Sequence, residues 1–539
     1  MTEVNNPGER PYVSGLYVEP DADRNTVYTT GAHVQHVTDT GKFLFVRDPQ
    51  LGEFTIGSDS TTADKFLYDI MTTPGMYRSL GVSQLCKDEA SATIPNTAQL
   101  TRHWHTIAVA GIVDELAKRQ GLTAEERVAS HLEASVDDRA HMDFSHAVEL
   151  FLQRWGGTEN LHEKMWPEYA KHGGERDVVE KYGLKVDNRL RLEGVDVPPW
   201  VGDKAPDIDV DRLEYTIAEL LLWFDHDGAS PETRNFIRQI CSLDNIAIDQ
   251  EGHMAFKDKE VAAVFSKGYL LLATEHWNEP VNRIQLHLLT QAAQRIVLRR
   301  QLPWAEQVDK GEMRLPEWYL YGIDEDIVSA LHENHGHTDP MLHAIHGALY
   351  PIATAERRRF ARFKMHEYSN FLMDSQAADY PSEHLSPKRV EFGPSHPSVS
   401  IEMHESTEAE RANAPKMPRL DTNSDGIRYD LFPLKNRFVD PRVVTGDGTK
   451  RLSELDGNFK SLLEQQQRLQ TMRTVVELVF ASSFRDQFVA GVKTNDCRFE
   501  ELKANQAFTS DQKRLIIRLA AERAIANSEA SGRLVRTRS

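Results

Sequence analysis

From about residue 60 to residue 370 the apolar side chains recur at three- and four-residue intervals, and that periodicity rules out most architectures. Ile107, Ala108, Ile112, Val113 and Leu116 make one such stripe; Ile284, Leu288, Ala292 and Ile296 make another. A helix turns once in about 3.6 residues, so side chains at this spacing share a face that must be buried against a neighbour. The 539-residue chain can bury a large core and holds more than one structural unit. A mainly α protein is expected, with small β hairpins at its margins. Residues 12–58 alternate apolar and polar, as in Lys42-Phe43-Leu44-Phe45-Val46, and Asp39-Thr40-Gly41 reads as a hairpin turn between two such runs.

Four segments follow from these shifts: an N-terminal β element (1–59), a helical core (60–375), a loop-rich connection (376–428) and a C-terminal α+β lobe with helices (429–539). The connection is rich in Ser, Pro, Glu and Asn. Two short runs within it, Arg389-Val390-Glu391-Phe392 and Val399-Ser400-Ile401-Glu402, read as a hairpin. Asn436 to Val444 reads as a strand stopped by Pro441. Helices are then expected to about residue 528, with Gln465 to Val476 an exposed helix face and Glu529 to Ser539 a frayed tail.

The composition is that of an ordinary soluble protein, 40% hydrophobic and 27% charged. The longest apolar runs, such as Ala218 to Phe224, are too short to span a bilayer, so no membrane role is expected. The polar N-terminus has no apolar signal core, and Cys86, Cys241 and Cys497 are too dispersed for a metal motif; reduced thiols and a cytoplasmic location are expected. A net charge of −19 argues against a broad nucleic-acid footprint but allows a local basic pocket for a phosphorylated ligand. Arg357 to Lys364 interleaves basic and aromatic residues and reads as a solvated amphipathic helix rather than a nucleic-acid surface.

Carboxylates and imidazoles arrive in three blocks: Arg102-His103-Trp104-His105, Asp137 to His146, and Asp209-Val210-Asp211-Arg212-Leu213-Glu214-Tyr215. Asp137, Asp138 and Asp211 with His105 are a sensible ligand set for one divalent cation. His141, His146 and His162 remain for acid–base work. Glu149, three residues after His146, can accept a hydrogen bond from that ring and raise its basicity. His103, His172 and His253 read as packed or capping histidines.

These blocks resemble the HD-domain phosphohydrolases, and within them the dNTP triphosphohydrolases. Arg102-x-x-His105 matches the family's first block, Asp138-x-x-His141-x-x-Phe144-Ser145-His146-x-x-Glu149 its second, and Asp209-Val210-Asp211-Arg212-x-x-Tyr215 its third. Pro74 to Leu80 with Gln84-Leu85, the pair His162-Glu163, and Asn436 to Leu463 are similar to further family segments. The resemblance covers roughly residues 60–300 and 430–470. It implies an HD-domain helical core and hydrolysis of a deoxynucleoside triphosphate to deoxynucleoside and triphosphate. It implies metal on His105, Asp137, Asp138 and Asp211, proton transfer by His146 with Glu149, and supporting roles for His141 and His162. Arg102, Arg212 and Lys267 would meet phosphates, Tyr215 the sugar, and Gln84 and Leu85 the deoxyribose. A nucleotide effector and homo-oligomerisation are further expectations.

The sequence departs from the pattern in two places. The His of the His-Asp pair is Asp137, which exchanges a nitrogen for a hard oxygen and moves preference toward Mn²⁺ or Mg²⁺, with Fe²⁺ and Co²⁺ also admissible. His131 supplies a substitute imidazole only if its segment bends back. Where the family places a phosphate-binding arginine, residues 265–280 offer Lys267, Tyr269 and Trp277. Two alternatives therefore stay open: an HD phosphohydrolase for another phosphate ester, and a degenerate member that binds nucleotide as a sensor or scaffold.

Overall fold

The computed structural model describes residues 17–18, 27–28, 35–48, 51–57, 61–84, 100–136, 139–141, 145, 161–187, 191–202, 204–224, 237, 240, 242–299, 301–302, 323–334, 339–350, 370–374, 376–377, 388–391, 398–407, 409–410, 419–421, 427–431, 438–469, 472–479, 482–502 and 508–537. Within them the fold is mainly α with small sheets, as the helical period requires.

The helix Arg102–Arg119 runs through the middle. Its start is fixed by Thr101, whose hydroxyl accepts from the Trp104 amide at 3.2 Å. Two apolar cores meet along it. Ile107 and Ala110 belong to one, built with Thr62–Met71, Leu161–Gly173, Pro280–Leu298 and Ser510–Ala530. Val109, Ile112, Val113 and Leu116 belong to the other, with Val210–Phe224 and Lys259–Leu272. A helix between two cores is buried on every side and shows little amphipathicity, which is why its polar first turn is buried too.

The expected N-terminal hairpin is present: His36–Asp39 pairs antiparallel with Leu44–Asp48 in the register Asp39↔Leu44, and Gly52–Ile56 adds a third strand. The fourth strand corrects the sequence reading. Leu534–Arg536, expected to fray, pairs parallel with Val37–Asp39, and Leu534 is buried. The preceding helix Ser510–Ala530 is tied down by Lys513 on Glu168 (2.6 Å) and Arg523 on Asp326 (2.9 Å).

Two further corrections concern the C-terminal third. Met472–Val479 is the middle strand of a five-stranded antiparallel sheet, not part of an exposed helix face. The helix Gly457–Leu469 stops before it, and the dense β-branched run Thr474-Val475-Val476 then fits a pleated surface. The strand near Pro441 begins after the proline, at Arg442–Thr445, because proline brings no amide hydrogen to the ladder. The hairpin read around residues 389–402 is present as Lys388–Glu391 against Ser398–Glu405. Residues 357–364 and the three cysteine side chains lie outside the described residues.

A buried ion pair locks the helices around residue 75. Arg139 Nη1 lies 3.4 Å from Glu175 Oε1 with neither side chain exposed. Glu175 also accepts from Thr73 at 3.2 Å, and Arg139 donates to the Ile70 carbonyl at 3.2 Å. Burial pushes the Glu175 carboxyl up and the Arg139 guanidinium down, each against the pull of its partner. Gly75 and Gly173 leave room for the carboxylate, since a Cβ on either would stand 2.3 Å from a Glu175 oxygen. Glu175→Ala, which strands Arg139, should cost about 3–5 kcal/mol of stability, and Glu175→Gln should cost less. Urea unfolding of the three proteins checks this; equal midpoints for Glu175→Ala and the parent would show that the pair holds nothing together.

Candidate active site

At the first turn of Arg102–Arg119, Arg102 meets Ser145 of the second block and His105 meets Asp211 and Glu214 of the third. His105 is buried, and its two ring nitrogens straddle one turn of the helix Val210–Phe224. Nε2 lies 2.7 Å from Asp211 Oδ1, and Nδ1 is hydrogen-bonded to Glu214. Asp211 and Glu214 are three residues apart and share a helix face. Their exposures divide the work. Asp211 is 36% exposed and opens outward, whereas Glu214 is 2% exposed and stands behind the imidazole. Burial pushes the Glu214 carboxyl up to about 7, although His105 pulls it down. A carboxylate on one ring nitrogen fixes the tautomer and raises the basicity of the other. Nε2 and Asp211 Oδ1, at their observed separation, can share either a proton or one cation.

The helix bearing Asp211 is set from both sides. Asp209 caps it, accepting from the Arg212 amide at 2.8 Å and from the Arg212 guanidinium at 2.9 Å. Asp207, just before, accepts from Arg442 (3.0 Å) and from Arg451 (2.7 Å). These arginines lie on the hairpin Arg442–Thr445/Gly448–Arg451, which extends the Met254–Phe256 strand. The C-terminal lobe thus grips the segment that carries Asp211.

Tyr215 follows Asp211 by one turn, with its ring 6.5 Å from His105. Tyr269 and Trp277 complete an aromatic wall: Tyr215 lies 6.4 Å from Tyr269 and 5.6 Å from Trp277. A five-residue π-helical turn, Ala273–Trp277, swings Trp277 into place, and its indole N–H donates to Glu219 at 2.9 Å.

The second block is described at 139–141 and at 145. His141 stacks on His162 with ring centroids 4.1 Å apart and planes at 25°, and Arg78 donates to the His141 carbonyl at 2.9 Å. Ser145 has φ +49°, a left-handed conformation that costs a non-glycine residue roughly 1–2 kcal/mol. Its hydroxyl donates to the Ser83 carbonyl at 2.7 Å and accepts from Arg102 Nε at 3.0 Å. Arg102, expected at a phosphate, is therefore buried with one nitrogen on Ser145. Among the described residues, Gln84 Oε1 is buried without a hydrogen-bond partner, and the Gln84 amide donates to Leu100 at 2.7 Å.

Lys267, expected at a phosphate, is placed against the segment 370–374. Its ammonium donates to the Asp374 carbonyl at 2.5 Å and lies over the Phe371 ring. Tyr269 is two residues on, about 200° around the helix, so the side chain that meets Tyr215 and the one that meets Asp374 diverge. His131 does not bend toward the site either. It is buried within Ala124–Val136 with Nε2 3.3 Å from Asp114. Asp137, Asp138, His146, Glu149 and Leu85 lie outside the described residues, and within the described set no three metal-binding side chains gather. Glu214, Glu219, Ser145 and Arg451's grip on Asp207 were not assigned from sequence; only Glu214 carried a signal, its three-residue spacing from Asp211.

No family model and no curated protein matches the chain. A phosphohydrolase from Bacteroides thetaiotaomicron is similar in structure, at 12% sequence identity and a TM-score of 0.47, over 81% of this chain and 99% of that one.

His103, read as a packed histidine, is one. Its Nδ1–H donates to the Met76 carbonyl at 3.2 Å and its ring stacks near Tyr77. Burial holds its pKa down to about 3 from the usual 6.5. The unfolded chain takes up that proton below 6.5 and the folded chain refuses it until about 3. The contribution of His103 is therefore complete above 6.5 and lost as pH falls through that window. His103→Asn, which keeps an N–H for Met76, should flatten the loss of stability between about pH 6.5 and pH 4. Urea midpoints across that range test it; identical slopes in both proteins would refute it.

Proposed function

We propose that this protein is a metal-dependent phosphohydrolase that cleaves deoxynucleoside triphosphates to deoxynucleoside and triphosphate. The observation that carries the reading is His105, held by Glu214 on one ring nitrogen and facing Asp211 with the other, beside the wall of Tyr215, Tyr269 and Trp277. The donor set fits a hard to borderline divalent cation, Mn²⁺ or Mg²⁺, with Fe²⁺ and Co²⁺ admissible. His105 and Asp211 would hold it together with Asp137 and Asp138. A bound cation of this kind supplies Lewis acidity toward a phosphate oxygen and neutralises charge.

The chain's own residues do the rest. Water attacks the α-phosphorus, the bond from phosphorus to the 5′ oxygen breaks, and triphosphate and deoxynucleoside part. His146, oriented by Glu149, delivers the proton that the departing 5′ oxygen needs. The stacked His141 and His162 line the approach. Tyr215 presses on the sugar, and the buried Oε1 of Gln84 accepts from its 3′ hydroxyl. Arg212, whose charge Asp209 sustains against the pull of burial, faces the phosphates, while Arg102 holds Ser145.

A second reading, nucleotide binding without turnover, is favoured by one observation: Lys267, the cation expected at the phosphates, is occupied with Asp374. Product analysis separates the two. Protein stripped of metal, reloaded with Mn²⁺ and incubated with each dNTP and with GTP should release tripolyphosphate and deoxynucleoside, and Asp211→Asn should abolish both products. Binding of dNTP and Mn²⁺ with no product from any substrate would move the assignment to a sensor.

The carboxylate behind His105 gives a separate expectation. Glu214→Gln should weaken Mn²⁺ binding about 10–100-fold while leaving the unfolding midpoint near that of the parent. Calorimetric titration with Mn²⁺ measures it, and unchanged affinity would remove Glu214 from any role in ligation.

A further inference from the structure

Two histidines outside this site face each other from neighbouring helices. His332 lies in the last turn of Asp324–Asn334, and His346 lies in the helix 340–350. Nδ1 of His332 and Nε2 of His346 are 3.3 Å apart, with ring planes at 77°. Tyr350, one turn beyond His346, stacks on His332 at 5.0 Å, and its hydroxyl lies 3.1 Å from His332 Nε2. His332 is exposed, while His346 and Tyr350 are half-buried.

We infer that His332 and His346 form a second metal site, for a transition-metal dication that prefers imidazole nitrogen, such as Zn²⁺, Ni²⁺ or Cu²⁺. Two nitrogens at 2.0–2.1 Å from one tetrahedral ion stand about 3.3 Å apart, the separation observed here. Tyr350 supplies the partner that such a site needs behind a ligand. Its oxygen can accept from His332 Nε2–H, which leaves the Nδ1 lone pair for the ion. The scaffold is rigid where it has to be. Asp339, fully buried, caps the helix that carries His346, accepting from the Met341 amide at 2.9 Å and from Arg295 at 2.7 Å. The local sequence is enriched to match, since five of the chain's 22 histidines fall within residues 332–346. Tracts of that density are characteristic of metal binding. The inference is independent of the proposed hydrolase activity and uses none of its residues.

The test is stoichiometric. Full-length protein freed of metal is titrated with Zn²⁺ alone by calorimetry, beside His332→Gln, His346→Gln and the double variant. Whatever the proposed active site binds is common to all four, so only an equivalent held by His332 and His346 distinguishes them. The parent should bind one equivalent more than the double variant, and each single variant should hold it at least about tenfold more weakly. Cu²⁺ should give an electron paramagnetic resonance signal with two-nitrogen coupling that either variant loses. Zn²⁺ should raise the melting temperature of the parent more than that of the double variant, a readout that first establishes that the variants are folded. Equal stoichiometry and affinity in parent and double variant overturn the assignment.

Discussion

Burying the polar first turn of Arg102–Arg119 is the constraint on which the rest of the molecule depends. Arg102, His103 and His105 enter the interior together because their helix passes between two apolar cores. Polar groups taken out of water cost several kcal/mol each unless they find partners, so each must meet a group brought from elsewhere. His103 takes the Met76 carbonyl, Arg102 takes Ser145, and His105 takes Glu214 and Asp211. Those partners come from residues 76, 145 and 211–214, three segments far apart in the chain. The site is assembled because the central helix cannot be buried without it.

The same reasoning explains why a distant lobe reaches back. Asp207 lies at the mouth of the helix that bears Asp211, and two arginines of the C-terminal hairpin close on it. Arg442 and Arg451 hold the Asp207 carboxyl below its usual range, although burial alone would raise it. Paired charged hydrogen bonds of this kind fix direction as well as distance. The hairpin in turn extends the Met254–Phe256 strand, so the orientation of Asp211 is set by residues more than 200 positions away in the chain.

Much of this was legible in the sequence, and the rest was hidden for identifiable reasons. Helical period announces Pro280–Leu298, whose Ile284, Leu288, Ala292 and Ile296 return to one core at each turn, and His105 and Asp211 stood out because each opens a helix with a polar cluster. Glu214 was equally visible in spacing but carried no motif of its own. Met472–Val479 was masked by the helical segments on either side of it; only its β-branched density marked a strand. Leu534–Arg536 carries no local signal at all, since three residues become a strand only through Val37–Asp39. Lys267 was offered for the phosphates by the family resemblance alone, and the sequence carried no sign that its ammonium meets the Asp374 carbonyl.

Buried guanidinium groups as well as apolar packing fix residues 139–141 of the second block. Arg78 reads the His141 carbonyl, and Arg139 reads the Ile70 carbonyl and the Glu175 carboxylate, all without exposure to water. An apolar side chain of the same volume would fill these spaces and spare the cost of desolvation. It would not specify where a carbonyl points, because dispersion contacts are non-directional. A planar fork of N–H donors accepts only a narrow range of partner positions. The stack of His141 on His162 accompanies that choice: the backbone at 141 is held by its oxygen, and the ring lies against the His162 ring with centroids 4.1 Å apart.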